Sequence, residues 1–302
     1  MTERRIEELT DPPAQAADAV LALIEAAAAQ DGQPAVSEQG RLRLRRGEHT
    51  GVRHLLLYSG GDLAGYAQID GSDPVEAPAA EFVVHPDHRL HGHGRALGAA
   101  LLTATGKRLR VWAHGGHPAA RHLAVELGLK QFRELRQLRR PLDPALDGIP
   151  EPRLPDGVTL RTFVPGQDEE AWLAVNAAAF AHHPEQGDMT LRDLADREAE
   201  PWFDPAGFFL AFRGSALAGF HWTKVHAAEG LGEVYVVGVS PSEQAAGLGR
   251  ALTAVGLRHL ARDRALGTAM LYVDADNLPA VTVYERLGFT THEVDLMYRT
   301  ES

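Results

Sequence analysis

A glycine-containing segment in the second half of the chain has the residue types and spacing of an anion site. It reads Gln-Ala-Ala-Gly-Leu-Gly-Arg over residues 244–250, between a β-branched strand pattern and a helical pattern. A strand, a glycine turn and a helix in this order present backbone N–H groups to a phosphate, and glycines let the chain approach it closely. The segment lacks the lysine of the longer triphosphate loop and the spacing of the dinucleotide fingerprint. It predicts a pyrophosphate cradle, with an ordinary tight turn as the alternative.

The same pattern occurs in the first half of the chain. Gly92-His93-Gly94-Arg95-Ala96-Leu97 recurs 155 positions later, from Gly247, and residues 82–86 match residues 237–241 at the same offset. Further on, Leu127-Gly128-Leu129 matches Leu287-Gly288-Phe289 at an offset of 160. These matches indicate an internal duplication. The candidate cofactor-binding residues of the two cradles are Phe82, Val83, Val84, Leu90, His91, Gly92, His93, Gly94 and Arg95, and Gln244, Ala245, Ala246, Gly247, Leu248, Gly249 and Arg250.

Prolines between residues 141 and 155 separate the two copies. Because proline interrupts helices and central strands, the sequence predicts an extended linker over 141–157, between domains of residues 1–140 and 158–302. In the second domain, periodicity and turn residues predict the following elements in order. They are a strand (158–163), a helix (169–181), a hairpin (207–212 and 217–225), a strand (233–239), a helix (249–264), a strand (269–273), a helix (279–287) and a last strand (293–298). This order predicts an α/β (α+β) fold with a mixed sheet.

Two further segments follow the second cradle at a fixed spacing. The turn Gln-x-x-Gly-x-Gly at 244–249, then Asn277-x-x-Ala280 and Tyr284-x-x-Leu-Gly-Phe, resembles the GNAT N-acetyltransferases. The resemblance implies two tandem GNAT domains, each a mixed, mostly antiparallel sheet flanked by helices. It also implies acetyl-CoA as co-substrate, no metal, and a contribution of Asn277, Ala280 and Thr282 to acetyl-CoA binding.

Acetyl transfer from a thioester needs a deprotonated amine, a stabilised oxyanion and a proton for the departing thiolate. The resemblance implies that backbone groups of Val237, Gly238 and Val239, on a bulged strand, bind the pantetheine arm and the thioester oxygen. Gly238 suits the position of the bulge. It places Tyr284 near the CoA sulfur as the proton donor, with a buried core tyrosine as the alternative. Glu233 precedes Val237 by four strand residues and lies on the same face, so it is the candidate general base. The alternative for Glu233 is a solvent-facing strand residue.

The first half lacks the two acid–base candidates at the aligned positions. Tyr284 aligns with Ala124 and Glu233 with Pro78, while Asn277 aligns with His117. The sequence therefore predicts a noncatalytic first domain, which either still holds acetyl-CoA or only keeps the fold. Histidines at 85, 88, 91 and 93 crowd its cradle. They are interpreted as solvated side chains rather than metal ligands, because carboxylate partners are missing.

Residues 176–187, 232–239 and 271–277 extend the resemblance to a two-domain, actinobacterial branch of the GNAT family. Members of that branch acetylate the cysteinyl amine of a cysteine–glucosamine–inositol pseudo-disaccharide. The acceptor-binding residues that the resemblance implies are Glu38, Glu185, Lys224, Glu233 and Tyr272. A solvated loop glutamate is the alternative for Glu38, and an exposed strand-end charge for Lys224. Two rival functions stay open: acetylation of another amine, such as an aminoglycoside, a polyamine or a protein N-terminus, and CoA sensing without turnover.

The amino-acid composition argues against several classes of binding partner and of chemistry. The 302 residues carry a formal charge of −11, which disfavours nucleic acid as a partner. The absence of cysteine excludes disulfides, thiolate metal sites and a cysteine nucleophile. The charged N-terminus has no signal-peptide core, and acidic residues break the apolar stretch 14–29, so no membrane span is expected. The sequence thus predicts a cytoplasmic monomer that binds acetyl-CoA and a small-molecule amine, without nucleic acid, membrane or metal.

Overall fold

Strands and helices alternate along the chain, which is described here by a computed structural model. The described residues are 3–47, 50–73, 75–146, 148–181, 184–244 and 246–301, and for 184 and 185 only the backbone is described. The strands are β1 (Arg4–Leu9), β2 (Val52–Ser59), β3 (Asp62–Asp70), β4 (Ala79–Val84), β5 (Arg110–Ala113), β6 (Leu129–Pro141), β7 (Val158–Thr162), β8 (Phe208–Arg213), β9 (Ala216–His226), β10 (Leu231–Val239), β11 (Thr268–Asp274) and β12 (Thr290–Thr300). The helices are α1 (Ala14–Asp31), α2 (Glu38–Arg46), α3 (His93–Ala104), α4 (Pro118–Glu126), α5 (Glu169–Ala179), α6 (Pro184–Gly187), α7 (Leu191–Glu198), α8 (Leu248–Arg258) and α9 (Leu278–Arg286).

The chain divides into two compact units. Unit 1 comprises Met1–Leu135 together with Glu293–Ser302, and unit 2 comprises Arg136–His292. The strand order in unit 1 is β1-β2-β3-β4-β5-β12. Neighbouring strands in this order are antiparallel, except β4 and β5, which are parallel.

Unit 2 repeats this topology. Its strand order is β6-β11-β10-β9-β8-β7, in which β7 to β10 pair antiparallel and β10 pairs parallel with β11. Helices α3 and α8 follow the corresponding strands β4 and β10, and α4 and α9 follow β5 and β11. Both units therefore have the mixed, mostly antiparallel sheet with helices that the sequence predicts.

The last strand of each unit comes from the other sequence repeat. Residues 293–300 of β12 pair beside β5 in unit 1, and residues 136–141 of β6 lie beside β11 in unit 2. The segment expected as a linker also contributes Leu142, Leu146 and Ile149 to the core of unit 2. The compact units thus differ from the expected segments 1–140, 141–157 and 158–302, because apolar residues of both β6 and the proline-rich segment are buried within unit 2.

Local patterns predict most elements of unit 2 well. The hairpin across 213–215 is confirmed as β8 and β9, and the other predicted strands and helices lie within about three residues of β7, β10, β11, β12, α5 and α9. The predicted helix 249–264 is split, because α8 ends at Arg258 and a π-helical turn, His259–Asp263, continues it. Helix α7 was not predicted, although Thr190 and Asp193 form a capping box at its start.

Candidate active site

In both units, the two parallel strands separate after a short paired stretch. Strand β10 pairs with β11 only from Leu231 to Glu233, although β10 continues to Val239 along β9. In unit 1, only Ala79 and Ala80 pair with β5. A gap between parallel strands leaves the backbone groups on one side of the strand for an extended ligand with its own amides. The segments 237–239 and 82–84, which the sequence singles out, border these two gaps.

The bulge in β10 lies at a different residue from the expected one. The register with β9 shifts between Val234 and Val236, so the extra residue is Tyr235 rather than Gly238. Gly238 has another role, since a Cβ built on it would lie 2.7 Å from Cζ of Phe220. The glycine therefore permits close approach of an aromatic core side chain, which the sequence pattern alone does not distinguish from a bulge.

Each cradle contains a glycine in the left-handed conformation, directly before its helix. Gly92 and Gly247 have φ of 78° and 82° and are the N-caps of α3 and α8. Among the described residues, the nearest atom to a Cβ built on Gly249 is the Cγ2 of Val239, at 3.5 Å, so packing against these residues does not require the glycine. Its missing side chain leaves room at the positive end of an eleven-residue helix, which fits a pyrophosphate.

The other cradle residues of unit 2 surround this helix start. Gln244, Ala246 and Arg250 are exposed, Gly249 is half-buried, and Leu248 is buried beneath the turn. Ala245 lies outside the described residues. The exposed turn residues are accessible to a ligand, and their role in binding stays a prediction.

The cradle of unit 1 has polar side chains around the same backbone shape. Leu90 is fully exposed and has φ of 62°, a conformation that a leucine rarely adopts. Arg4 donates a hydrogen bond to the carbonyl of His91 over 2.8 Å, and Arg95 forms an ion pair with Glu126.

His93 is not solvated, in contrast to the expectation. It is the first residue of α3 and only 5% exposed, and its buried Nδ1 has no hydrogen-bond partner among the described residues. Burial lowers the pKa of His93, and the charges of Arg4, His88 and His91 lower it further. A buried, unpaired ring nitrogen at the start of α3 is available to a ligand.

Glu233 is buried where β10 and β11 separate. It is 6% exposed, and its Oε2 lies 2.7 Å from Nε2 of His226 on β9. The solvent-facing alternative does not fit this burial. His226 was missed in the sequence, although Lys224-x-His226 places two basic side chains on one face of a strand. Recognising the pair requires the strand register, in which Lys224 stands opposite Glu233 and His226 is its diagonal neighbour.

Tyr284 lies on α9, the helix that follows β11. The ring of Tyr284 contacts Phe289 edge-on at 5.9 Å, and burial raises the pKa of its hydroxyl to about 12. The phenol is therefore protonated at neutral pH and can donate a hydrogen bond. Asn277 caps the helix by accepting a hydrogen bond from the N–H of Ala280 over 3.3 Å, while Thr282 donates to a backbone carbonyl within the helix.

The candidate acceptor-binding residues lie in several elements. Lys224 is only 7% exposed, and its Nζ lies 4.4 Å from the ring centroid of Trp202, so it is not a solvated strand-end charge. Tyr272, on β11, is 42% exposed and its hydroxyl accepts a hydrogen bond from Gln137 over 2.8 Å. Glu38 is the first residue of α2 in unit 1. The backbone of Glu185 belongs to α6, and its side chain lies outside the described residues.

The strand register refines the alignment of the two units. Asp70 pairs with Ala79 in unit 1 as Lys224 pairs with Glu233 in unit 2. Ala79, rather than Pro78, is therefore the counterpart of Glu233, because the bulge at Tyr235 adds one residue to β10. Ala124 is 4% exposed at the position of Tyr284. Unit 1 thus has neither the carboxylate nor the phenol at these positions.

Known proteins place the chain in a family. Residues 174–289, all within unit 2, match the acetyltransferase (GNAT) family. A tandem GNAT protein from the clavulanic acid biosynthesis pathway, solved without AcCoA, has the same fold, with a TM-score of 0.72 and 20% sequence identity over 99% of both chains. The fold and the site define an acetyltransferase of the GNAT type.

Two relatives in sequence are more specific. The mycothiol acetyltransferase of Streptomyces avermitilis is 72% identical over 299 residues, which cover 99% of this chain and 96% of that protein. The mycothiol acetyltransferase of Thermobispora bispora is 58% identical over 287 residues, covering 93% and 95%. The chain belongs to the mycothiol acetyltransferase family. No helix in the described part of the chain combines the length and apolar content that crossing a bilayer requires.

Proposed function

We propose that unit 2 transfers the acetyl group of acetyl-CoA to the cysteinyl amine of 1D-myo-inositol 2-(L-cysteinylamino)-2-deoxy-α-D-glucopyranoside, the last step of mycothiol biosynthesis. Family membership supports this acceptor. The observation that carries the chemistry is the buried carboxylate of Glu233, which lies at the point where β10 and β11 separate and is paired with His226.

Acetyl-CoA binds in the gap between β10 and β11 and at the start of α8. Backbone groups of 237–239 pair with the pantetheine amides, and the N–H groups of the cradle hold the pyrophosphate. Asn277, Ala280 and Thr282 complete this site at the first turns of α9, where Asn277 fixes the helix start.

The reaction removes two protons from the acceptor nitrogen and adds one to the CoA sulfur. Glu233 takes the proton of the acceptor's ammonium group, directly or through a water molecule, and the free amine attacks the thioester carbon. A backbone N–H of β10 stabilises the oxyanion of the tetrahedral intermediate. As the C–S bond breaks, the nitrogen of the intermediate loses its second proton to solvent and becomes the neutral amide, while the Tyr284 hydroxyl gives its proton to the departing thiolate and is reprotonated from solvent.

The acceptor site of unit 2 uses side chains of β9, β10 and β11. Lys224, held against Trp202, donates hydrogen bonds to sugar hydroxyl groups, and Tyr272 presents a partly exposed ring and hydroxyl. The family resemblance further supports Glu38 and Glu185 as acceptor-binding residues, because carboxylates suit hydroxyl and ammonium groups. We further propose that unit 1 is noncatalytic and binds a CoA thioester, and that the enzyme acts as a cytoplasmic monomer.

The test is a comparison of acceptors. Release of the CoA thiol from acetyl-CoA is measured with the cysteinyl pseudo-disaccharide, with the same compound lacking the cysteinyl group, and with an aminoglycoside and a polyamine. We expect turnover only with the first compound. Turnover with another amine alone would keep the acetyltransferase and replace the acceptor, and an inactive but acetyl-CoA-binding protein would indicate CoA sensing.

A further inference from the structure

Unit 1 contains a cavity of about 700 Å³ that extends from its cradle into its core. Gly92, His93 and Gly94 line one part of it. The inner part is lined by the apolar side chains of Val111, Ala113, Leu123, Ala124, Leu127 and Leu129. Several of these residues, including Val111, Ala124 and Leu129, belong to the buried aliphatic core of unit 1.

The inner part of the cavity exists because three side chains are smaller than their counterparts in unit 2. The strand pairs place Arg110 beside Ala79 as Met270 lies beside Glu233, which confirms the offset of 160 in this region. At this offset Ala113 replaces Val273, Ala124 replaces Tyr284, and Leu129 replaces Phe289.

In unit 2, the corresponding space is filled. Val273 and Phe289 are buried in its core, and Tyr284 packs against them, its ring 5.9 Å from that of Phe289. Because protein interiors are close-packed, exchanging a tyrosine for an alanine opens room for about seven non-hydrogen atoms. The cavity of unit 1 therefore extends into the place that the Tyr284 side chain fills in unit 2.

Two polar side-chain atoms in the wall of this cavity are buried and have no hydrogen-bond partner among the described residues. One is Nδ1 of His93, at the cradle, and the other is Nε2 of Gln33. A buried polar atom without a hydrogen bond is costly, so its presence in a cavity wall indicates a ligand that supplies the missing acceptor or donor. Phosphate oxygens can pair with His93, and a carbonyl oxygen can pair with the amide of Gln33.

We propose that unit 1 binds a CoA thioester whose acyl group is apolar and longer than acetyl, with about four to eight carbons, and does not turn it over. The assignment rests on the proposed function only in taking the unit 1 cradle as a CoA site. An acetyl group would leave the space beside Ala124 empty, whereas a longer chain would bury its methylene groups against aliphatic walls. Ala79 and Ala124 supply neither the carboxylate nor the phenol that unit 2 has at the corresponding positions.

Fluorescence of the full chain can report binding in unit 1. Trp112 lines the cavity, while the other tryptophans, Trp172, Trp202 and Trp222, belong to unit 2. The change that acyl-CoA produces in the wild type and not in Trp112→Phe is assigned to unit 1. Acetyl-CoA, butyryl-CoA, hexanoyl-CoA and octanoyl-CoA are titrated in turn. We expect hexanoyl-CoA to bind at least tenfold more tightly than acetyl-CoA.

Filling the cavity should remove this preference. In Ala124→Tyr, and in the milder Ala124→Leu, we expect the ratio of the two dissociation constants to fall towards one, while acetyl-CoA still binds and unit 2 still turns over its substrates. Val125→Tyr is the matched control, because Val125 is the next residue of α4 and its side chain is 78% exposed. Its preference should equal that of the wild type.

Equal affinity of the wild type for acetyl-CoA and hexanoyl-CoA would overturn the proposal, as would an unchanged preference in both Ala124 variants. The assay is independent of catalysis in unit 2. Failure of turnover with the cysteinyl acceptor would contradict the proposed function alone, and a missing acyl-chain preference in an active enzyme would contradict this inference alone.

Discussion

The two units have the same strand order, the same left-handed glycine before α3 and α8, and the same gap between parallel strands, yet they differ in the side chains around that gap. Unit 2 has Glu233 paired with His226 and the phenol of Tyr284. Unit 1 has Ala79 and Ala124 at these positions, and a cavity in place of the phenol. The difference separates what both units share, a gap between parallel strands and a glycine turn at a helix start, from the carboxylate and the phenol that we propose as base and proton donor in unit 2.

Each unit also has a buried histidine, and the pKa values of the two imidazoles are shifted in opposite directions. In unit 1, His114 lies 2.8 Å from Glu81 and 2.9 Å from Asp295, and these carboxylates raise its pKa to about 10 against the opposing effect of burial. In unit 2, His221 hydrogen-bonds through Nδ1 to the carbonyl of Leu252, and burial lowers its pKa to about 4. One buried imidazole is therefore charged and the other neutral at pH 7.

The largest expected effect comes from changing Glu233, the proposed base of unit 2. Glu233→Gln keeps the shape and the contact with His226 but cannot take a proton, so we expect kcat to fall by about 10²- to 10⁴-fold. Acetyl-CoA binding should be unchanged. Thiol-release kinetics measure the first quantity and calorimetry the second. Glu229→Gln, an exposed change in the turn between β9 and β10, is the matched control and should retain full activity. Full turnover by the Glu233 variant would remove this carboxylate from the mechanism.

The next effect is on stability and concerns the charged histidine of unit 1. Because the folded pKa of His114 lies above its ordinary value of 6.5, its contribution is present below pH 6.5 and is lost as pH rises towards 10. His114→Gln leaves Glu81 and Asp295 buried without a cation, so we expect a loss of about 3 kcal/mol in the free energy of unfolding at pH 6.

Urea unfolding of the full chain at several pH values measures this effect. The difference between the wild type and His114→Gln should shrink from pH 6.5 to pH 10. His122→Gln, on the surface of α4 with its side chain 77% exposed, is the control and should change stability little. A difference that stays constant over this pH range would show that His114 is not held protonated in the folded protein.

A smaller effect on activity is expected from changing Tyr284, the proposed proton donor. Tyr284→Phe keeps the ring that packs against Phe289 and removes only the hydroxyl, so the thiolate departs without its hydrogen bond. We expect kcat to fall by about tenfold to a hundredfold, with little change in the KM for acetyl-CoA. Steady-state kinetics separate the two parameters. An unaltered kcat would assign Tyr284 to packing, and the comparison between the units would then rest on Glu233 alone.

Local signals predicted those parts of the molecule that local chemistry determines. The hairpin at 213–215 and the glycine turns before α3 and α8 could be identified because glycines, helix starts and strand alternation occur within a few residues of each other. The exchanged strands could not be predicted, since β6 and β12 are equivalent strands of a repeat and either could complete either sheet. The bulge at Tyr235 and the pairing of His226 with Glu233 depend on the register between two strands, and the cavity beside Ala124 depends on side chains from several elements.

The smallest expected effect on activity concerns His226, the hydrogen-bond partner of Glu233. An imidazole can accept a proton on one nitrogen and release one from the other, whereas an amide can only hold its hydrogen bond. His226 is more exposed than Glu233, with 26% against 8% of the side chain accessible, so it lies between the buried carboxylate and solvent. We therefore expect His226→Gln to lower kcat by about tenfold without changing the KM for either substrate, because proton release from Glu233 becomes slow.

Steady-state kinetics with added imidazole provide the check: the small base should restore part of the lost rate in His226→Gln and have no effect on His292→Gln, a surface control in the same unit. A lower kcat that imidazole does not restore would mean that His226 only orients Glu233.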